Sequence, residues 1–280
     1  AIISPNPLFG EDLLQLSQYL ADYFLSTRAA FLQAMLPAGL SLTGHLPKSS
    51  LVEHFSIKIQ EPVKLRSTKQ KEIYAYLQQN PDAEKDVILA NTNSNLSILR
   101  NMVQKEYIEK RTEMRWYQQS LKADIEFIKP ECLTIEQKEV LDRLQKNAAA
   151  ERKPVLLHGV TGSGKTELYL RFLEPLLRQG KQAILLVPEI SLTPQMVSYF
   201  RSRLQMPVAV LHSGLSAKER KETWLGIAKG IYPLVIGARS AVFAPTPNLG
   251  AIIMDEIHDG SYKQESQPCF HALTAAKGRC

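Results

Sequence analysis

Eight residues, Gly159-Val160-Thr161-Gly162-Ser163-Gly164-Lys165-Thr166, fit the pattern G-x-x-x-x-G-K-[ST]. They follow an apolar run read as a strand over residues 154–158 and precede an apolar-periodic stretch read as a helix. Gly159, Gly162 and Gly164 let the backbone curl so that successive N–H groups face phosphate oxygens, with Thr161 and Ser163 in the same cradle. The helix that follows adds its positive N-terminal end to that spot. Lys165 would neutralise the β- and γ-phosphates and the Thr166 hydroxyl would complete a Mg²⁺ shell. The chemistry is the binding of ATP with Mg²⁺.

Hydrolysis needs a carboxylate for the metal and a group that activates water. The run LGAIIMDEIHDG supplies both at the end of an apolar strand. Asp255 sits where a strand tip holds Mg²⁺ through its water shell, and Glu256 would orient or deprotonate the attacking water. His258, three residues after Asp255, is placed to couple the γ-phosphate site to a neighbouring ligand. Upstream, Thr134 and Gln137 have capping-box spacing at the start of a helix over residues 135–147. The Gln137 amide can also donate to and accept from an adenine edge, and the two readings are compatible.

Elements must bring these residues together. Strands read at 154–158, 182–187, 207–211, 233–236 and 250–255, with helices between the earlier ones, imply an α/β lobe whose parallel sheet is flanked by helices. Residues 10–36 read as helical, and 41–60 stay ambiguous between loop and a short strand from Val52 to Ile59. From Ser67 to Tyr117 three helices and an alternating stretch, YIEKRTEMRWY, give the outline of a winged helix with a β-ribbon. Residues 66–115 hold nine Lys/Arg against seven Asp/Glu, so that segment has no strong basic face. The expected division is a helical or irregular segment over 1–60, a winged-helix domain over 61–120 and an ATP-binding lobe over 121–280.

Composition sets the outer bounds. The 280 residues, 44% hydrophobic and 22% charged, describe a globular chain of one or two domains. A net charge of +6 leans towards nucleic acid, though ordinary enzymes carry as much. Cys132, Cys269 and Cys280 form no CxxC pair, which argues against a disulfide framework or a structural zinc site. No apolar run reaches the roughly 20 residues that span a bilayer, and AIISPNPLFGED lacks a signal-peptide plan, so the expectation is a soluble protein of a reducing compartment with no membrane partner. The ends suggest a piece of a longer protein.

Four further segments follow the phosphate loop in order: LLVPEISLTPQ, LHSGLSAKER, VIGARSAVFAP and MDEIHDGSYKQE. Together with GVTGSGKTE they resemble the bacterial primosomal replication-restart DNA helicases, the PriA family of superfamily 2, closely over residues 130–271 and more weakly upstream. The resemblance implies a RecA-like lobe in a 3′-to-5′ DNA-unwinding motor that binds stalled forks and helps to reload the replicative helicase. It implies that Lys165 and Thr166 hold nucleotide and Mg²⁺, that Asp255 and Glu256 serve metal and water, and that Gln137 contacts adenine. Thr193, Arg239 and Ser240 would track single-stranded DNA through its phosphates, although Ser191 or Thr193 is equally suited to cap the next helix. Tyr262 and Lys263, with Gln264, Phe270 and His271, resemble the family's aromatic-rich loop, which stacks on a base. Single-stranded and forked DNA, primosome proteins and single-stranded DNA-binding protein are the implied partners, and the bacterial cytoplasm and nucleoid the implied location.

Two positions depart from the family pattern. Ile257 replaces the second Glu of D-E-E-H, a position without direct chemistry, and Leu273-Thr274 follows Ala272 where the family has Arg-Asp, removing a charge pair from the loop. The resemblance also implies that the first DNA-binding domain, the second motor lobe with its γ-phosphate arginines and the zinc-binding cysteine clusters lie outside this chain. Two other readings compete: a nucleic-acid or protein docking module with an idle phosphate-loop lobe, and a phosphate-loop kinase or signalling NTPase. The ordered segments after the phosphate loop argue against the second.

Overall fold

The computed structural model describes residues 9–37, 51–58, 65, 67–114, 132–150, 153–160 and 162–279. In chain order its helices and strands are α1 (Glu11–Tyr23), α2 (Arg28–Met35), β1 (Leu51–Ile57), α3 (Thr68–Gln79), β2 (Ala83–Glu84), α4 (Lys85–Thr92), α5 (Leu96–Gln104) and β3 (Ile108–Met114). They continue as α6 (Ile135–Ala150), α7 (Lys165–Arg178), β4 (Gln182–Leu186), α8 (Pro194–Leu204), β5 (Val208–Leu211), α9 (Ala217–Ala228), β6 (Leu234–Gly237), β7 (Leu249–Met254), β8 (Lys263–Gln264), β9 (Phe270–His271) and α10 (Ala272–Arg279). The chain divides into two compact units: residues 1–46 with 117–280, and Pro47–Trp116. Among the described residues no helix is long and apolar enough to cross a membrane.

The larger unit is built on a parallel sheet in the order β5-β6-β4-β7. Every residue of β4, β5 and β6 is buried, which is why these strands read as unbroken apolar runs with helices over them. Leu170, Leu173 and Leu177 of α7 pack with Leu185, Phe200 and Ile236 in its core. Gly237 lies so close to β5 that an added Cβ would stand 2.6 Å from the Leu211 carbonyl oxygen.

The expected strand at 154–158 is corrected: residues 153–160 join no ladder. Pro154 has no N–H to donate, and Val155 and Leu156 stand 49% and 75% exposed. Leu157 packs against the lobe core. A strand of a parallel sheet is stabilised by burial on both faces, and this run does not obtain it.

Helices α1 and α2 pack with the lobe rather than standing apart. Leu13, Leu16 and Leu20 are fully buried, and the Phe31 ring meets Phe270 edge-on at 6.5 Å. Arg279 of α10 donates to Asp12 Oδ2 at 2.9 Å, to the Val242 carbonyl at 2.7 Å and to Thr246 Oγ1 at 2.9 Å.

The smaller unit holds α3, α4 and α5 against a sheet in the order β2-β1-β3. Phe55, Ile73, Leu77, Ile88, Leu99 and Met102 make its core. Ser67 and Gln70 form a capping box on α3, and Asn95 caps α5. The alternating stretch after α5 is a strand over its described residues, and its antiparallel partner lies upstream of the three helices. It pairs antiparallel with β1 from Leu51↔Met114 to Ile57↔Ile108. The pairing draws residues 51–57 into this unit, so its boundary precedes the expected residue 61.

Candidate nucleotide site

Helix α7 starts on the phosphate loop. Gly162 and Gly164 have φ of 82° and 84°, the left-handed region that glycine enters without a Cβ clash. An added Cβ at Gly162 would meet nothing within 4 Å. Thr161 lies outside the described residues. Ser163 is exposed, and its N–H donates to the Val160 carbonyl at 3.2 Å. Lys165 curls over its own loop, donating to the carbonyl oxygens of Gly159 at 2.9 Å and Val160 at 3.2 Å.

Strand β7 delivers the acidic pair. The Asp255 N–H continues the ladder to the Leu186 carbonyl at 2.9 Å, and then Glu256 turns the chain sharply with φ of 45°. That conformation is uncommon outside glycine and costs on the order of 1–3 kcal/mol. It brings the Glu256 carboxylate to 3.8 Å from the Lys165 ammonium, joining two motifs that lie far apart in the chain. His258 Nε2 is 3.6 Å from Glu256 Oε2, with its side chain 79% exposed.

Two tyrosines hold Asp255. The Tyr169 hydroxyl donates to Oδ1 at 3.0 Å, and the Glu256 N–H reaches the same oxygen at 3.1 Å. Burial, then the neighbouring Asp255 carboxylate, push the Tyr169 phenol up, so it stays protonated and remains a donor. The Tyr262 hydroxyl lies 2.6 Å from the Asp255 carbonyl oxygen and 3.0 Å from that of Leu186, and its single proton serves one of them at a time. Sequence reasoning passed over Tyr169. The available signal was its spacing, four residues after Lys165 on one helix face.

Gln137 unites its two expected roles only in part. Thr134 and Gln137 form the reciprocal bonds of a capping box, at 3.1 and 3.2 Å. The remaining amide hydrogens are turned to the phosphate loop, donating to the Ser163 carbonyl at 3.1 Å. The amide is thus engaged on the loop.

The expected strand-tracking residues do not form one open surface. Thr193 is the N-cap of α8, accepting from the Met196 N–H at 3.2 Å, as its alternative reading held. Arg239 donates to the carbonyls of Ser261 at 3.1 Å and Lys263 at 2.7 Å, and lies 5.8 Å over the Phe270 ring. Tyr262 is 0% exposed, so as placed it cannot stack on a base. Tyr262 corrects the expectation because it is buried, whereas Arg239 is partly buried and spends its bonds on carbonyls of its own chain. Ser240 and Lys263 are exposed. Nearby, Glu189 accepts from the N–H of Ser213 at 3.2 Å and from its hydroxyl, bonds that hold its carboxyl below the usual range. The pair ties the PEISLTPQ segment to the HSGLS segment.

The donor set suits Mg²⁺ with a nucleotide. The Thr166 hydroxyl and Asp255 Oδ2 have no partner among the described residues, while Asp255 Oδ1 is fully engaged. Among the described residues no cluster of three His, Cys, Asp or Glu could hold a metal alone. A hard cation bound by one hydroxyl, one carboxylate, phosphate oxygens and water needs no such cluster.

The sequence signature of the DEAD/DEAH box helicases matches residues 134–277. The chain is 34% identical to the replication restart protein PriA of Bacillus subtilis (strain 168) over an alignment of 346 residues, covering 98% of this chain and 43% of that protein. It is 40% identical to the PriA of Haemophilus influenzae over 214 residues, 75% of this chain and 29% of the relative. With the PriA of a Synechocystis species the identity is 54% over 126 residues, 45% of this chain and 15% of the relative. The chain thus spans less than half the length of these curated relatives.

Proposed function

The chain belongs to the DEAD/DEAH box helicase family, and from that premise we propose that it is the nucleotide-binding part of an ATP-dependent 3′-to-5′ DNA helicase that acts at stalled forks in replication restart. The observation that carries the reading is the approach of Lys165 to Glu256 at 3.8 Å, which joins phosphate loop and acidic pair in one site. In this site Lys165 leaves the loop carbonyls for the phosphates, and Thr166 and Asp255 hold Mg²⁺, whose charge offsets that of the phosphate oxygens. Glu256 orients the attacking water and accepts its proton, with His258 beside it.

Several finer assignments belong to the same proposal. Residues 61–120, with the strand at 51–57 that pairs into the same unit, serve as a winged-helix module, and Ser240 and Lys263 face single-stranded DNA. Gln137 exchanges its bond to Ser163 for an adenine edge. The whole protein works in the bacterial cytoplasm with primosome proteins and single-stranded DNA-binding protein, and its zinc lies in cysteine clusters outside this chain. An arginine directed at the γ-phosphate contributes ~10³–10⁵ in rate in phosphate-loop GTPases, and that arginine is assigned to the second motor lobe of the whole protein.

The test is equilibrium nucleotide binding with steady-state ATP hydrolysis, with and without single-stranded DNA. Lys165→Ala is expected to weaken Mg²⁺-nucleotide binding by at least about tenfold, losing the charge-assisted contacts of the ammonium. Hydrolysis should stay close to that of a Glu256→Gln blank. Unchanged binding by Lys165→Ala would remove the site. DNA-stimulated turnover abolished in Glu256→Gln would show that the chain holds every catalytic group it needs.

A further inference from the structure

We propose that Tyr169 is a positioning residue for the metal-holding carboxylate, fixing one oxygen of Asp255 so that the other is presented to the Mg²⁺ shell. The inference rests on the nucleotide-site reading above and adds to it a residue outside both motifs.

Asp255 stands at the end of β7, where its carboxylate would turn freely, since the terminal torsion of an aspartate has a broad, roughly two-fold profile. Here that freedom is removed on one side only. Oδ1 accepts from the Tyr169 hydroxyl at 3.0 Å and from the Glu256 N–H at 3.1 Å. Oδ2 takes no donor among the described residues. A carboxylate whose first oxygen is held twice offers its second in a fixed direction.

The ring that brings the hydroxyl is 8% exposed and packs in the lobe core with Leu170, Leu173 and Leu185. Phenylalanine would supply that packing equally well. A buried hydroxyl is costly unless it is bonded, and this one is directed at the carboxylate. Tyr169 also belongs to α7, the helix that begins with Lys165 and Thr166. The bond therefore ties the helix holding the phosphate-loop ligands to the strand end holding the acidic one. On the main-chain side, Tyr262 fixes the carbonyl of the same aspartate at 2.6 Å, leaving the side chain to Tyr169.

The experiment measures affinity of the whole chain for a fluorescent, non-hydrolysable ATP analogue in Mg²⁺ and again in EDTA. The ratio of the two dissociation constants reports the metal's share and needs no turnover. Tyr169→Phe is expected to leave the EDTA affinity within about twofold and to cut the Mg²⁺ enhancement by about tenfold, as loss of a ligand's outer partner does. An enhancement equal to wild type overturns the inference. So does equal weakening with and without metal, which is what lost packing would produce. A wild-type chain with no Mg²⁺ enhancement would sink the nucleotide-site reading together with this one, whereas enhancement retained in Tyr169→Phe sinks this one alone. Should Tyr169→Phe lose the native circular dichroism spectrum, Tyr169→Met provides the same comparison, filling the core without a hydroxyl, and the same two outcomes overturn the proposal.

Discussion

Glu167 follows Thr166 directly, and its side chain enters the seam between α7 and α8. Its side chain is 8% exposed and Arg203 is 7% exposed, with the two joined by a pair of bonds at 2.7 and 2.9 Å. Arg171 adds a third bond at 2.7 Å and the Tyr199 hydroxyl a fourth at 3.2 Å. Burial by itself would raise the Glu167 carboxyl, but the bonds from Arg203 and Arg171 outweigh it and hold the group below its ordinary value. A carboxylate depressed in the folded state stabilises above its unfolded pKa, and that contribution disappears as pH falls through the folded one. Glu167→Ala leaves Arg203 buried without its carboxylate, with the Tyr199 hydroxyl still 3.0 Å away, and is expected to cost about 3 kcal/mol at neutral pH by urea unfolding. The gap between wild type and variant should narrow as pH falls from the ordinary glutamate range through the lower pH at which the folded carboxyl protonates. A gap constant across pH would mean that the loss is one of packing. Only the phosphate-loop end of this helix was legible in the sequence, because a fixed pattern marks Lys165 and Thr166 while nothing local distinguishes a glutamate destined for an arginine 36 positions away.

At the scale of elements, legibility followed burial. Strands β4, β5 and β6 read correctly because a parallel strand covered on both faces must be apolar throughout. The run at 154–158 has the same composition but lacks the burial, and composition cannot reveal whether a neighbouring edge accepts it. The turn from Gly260 to Tyr262 shows the converse. Its aromatic residue suggested a surface for stacking, yet Tyr262 goes inward to two backbone carbonyls, and Arg239 grips the carbonyls on either side of it. The long-range partners Leu186 and Arg239 decide this placement, and local pattern is blind to them. Arg239→Ala therefore releases the turn before it alters anything else. Hydrogen exchange of amides 260–264 is expected to accelerate about tenfold or more, consistent with charge-assisted bonds of about 1.5 kcal/mol or more. Unchanged exchange there would mean that Tyr262 and the Asp259 cap, which accepts from the Ser261 N–H at 2.7 Å, anchor the turn without Arg239, and Arg239 would return to being a candidate DNA contact.

At the scale of the whole chain, two separate cores make two separable stabilities. The lobe core gathers Leu173, Leu185 and Phe200 around the sheet, and the smaller unit gathers Ile73, Leu99 and Met102 around β1 and β3. Chains with more than one core commonly depart from a single unfolding transition, so each core should report its own damage. Leu99→Ala removes a side chain that is 0% exposed and should destabilise the smaller unit by about 2–5 kcal/mol, depending on how far the cavity collapses. Leu185→Ala, also at 0% exposure, should do the same to the lobe. Nucleotide distinguishes the two. Its affinity should be unchanged within about twofold in Leu99→Ala, and its presence should raise only the lobe's transition, since a ligand stabilises the folded unit that binds it. In Leu185→Ala the one carbonyl that accepts from both the Asp255 N–H and the Tyr262 hydroxyl belongs to the adjoining Leu186, so affinity should fall together with stability. A single transition that moves equally in both variants would mean that the chain unfolds as one cooperative body, and the nucleotide site would then depend on residues far from the phosphate loop.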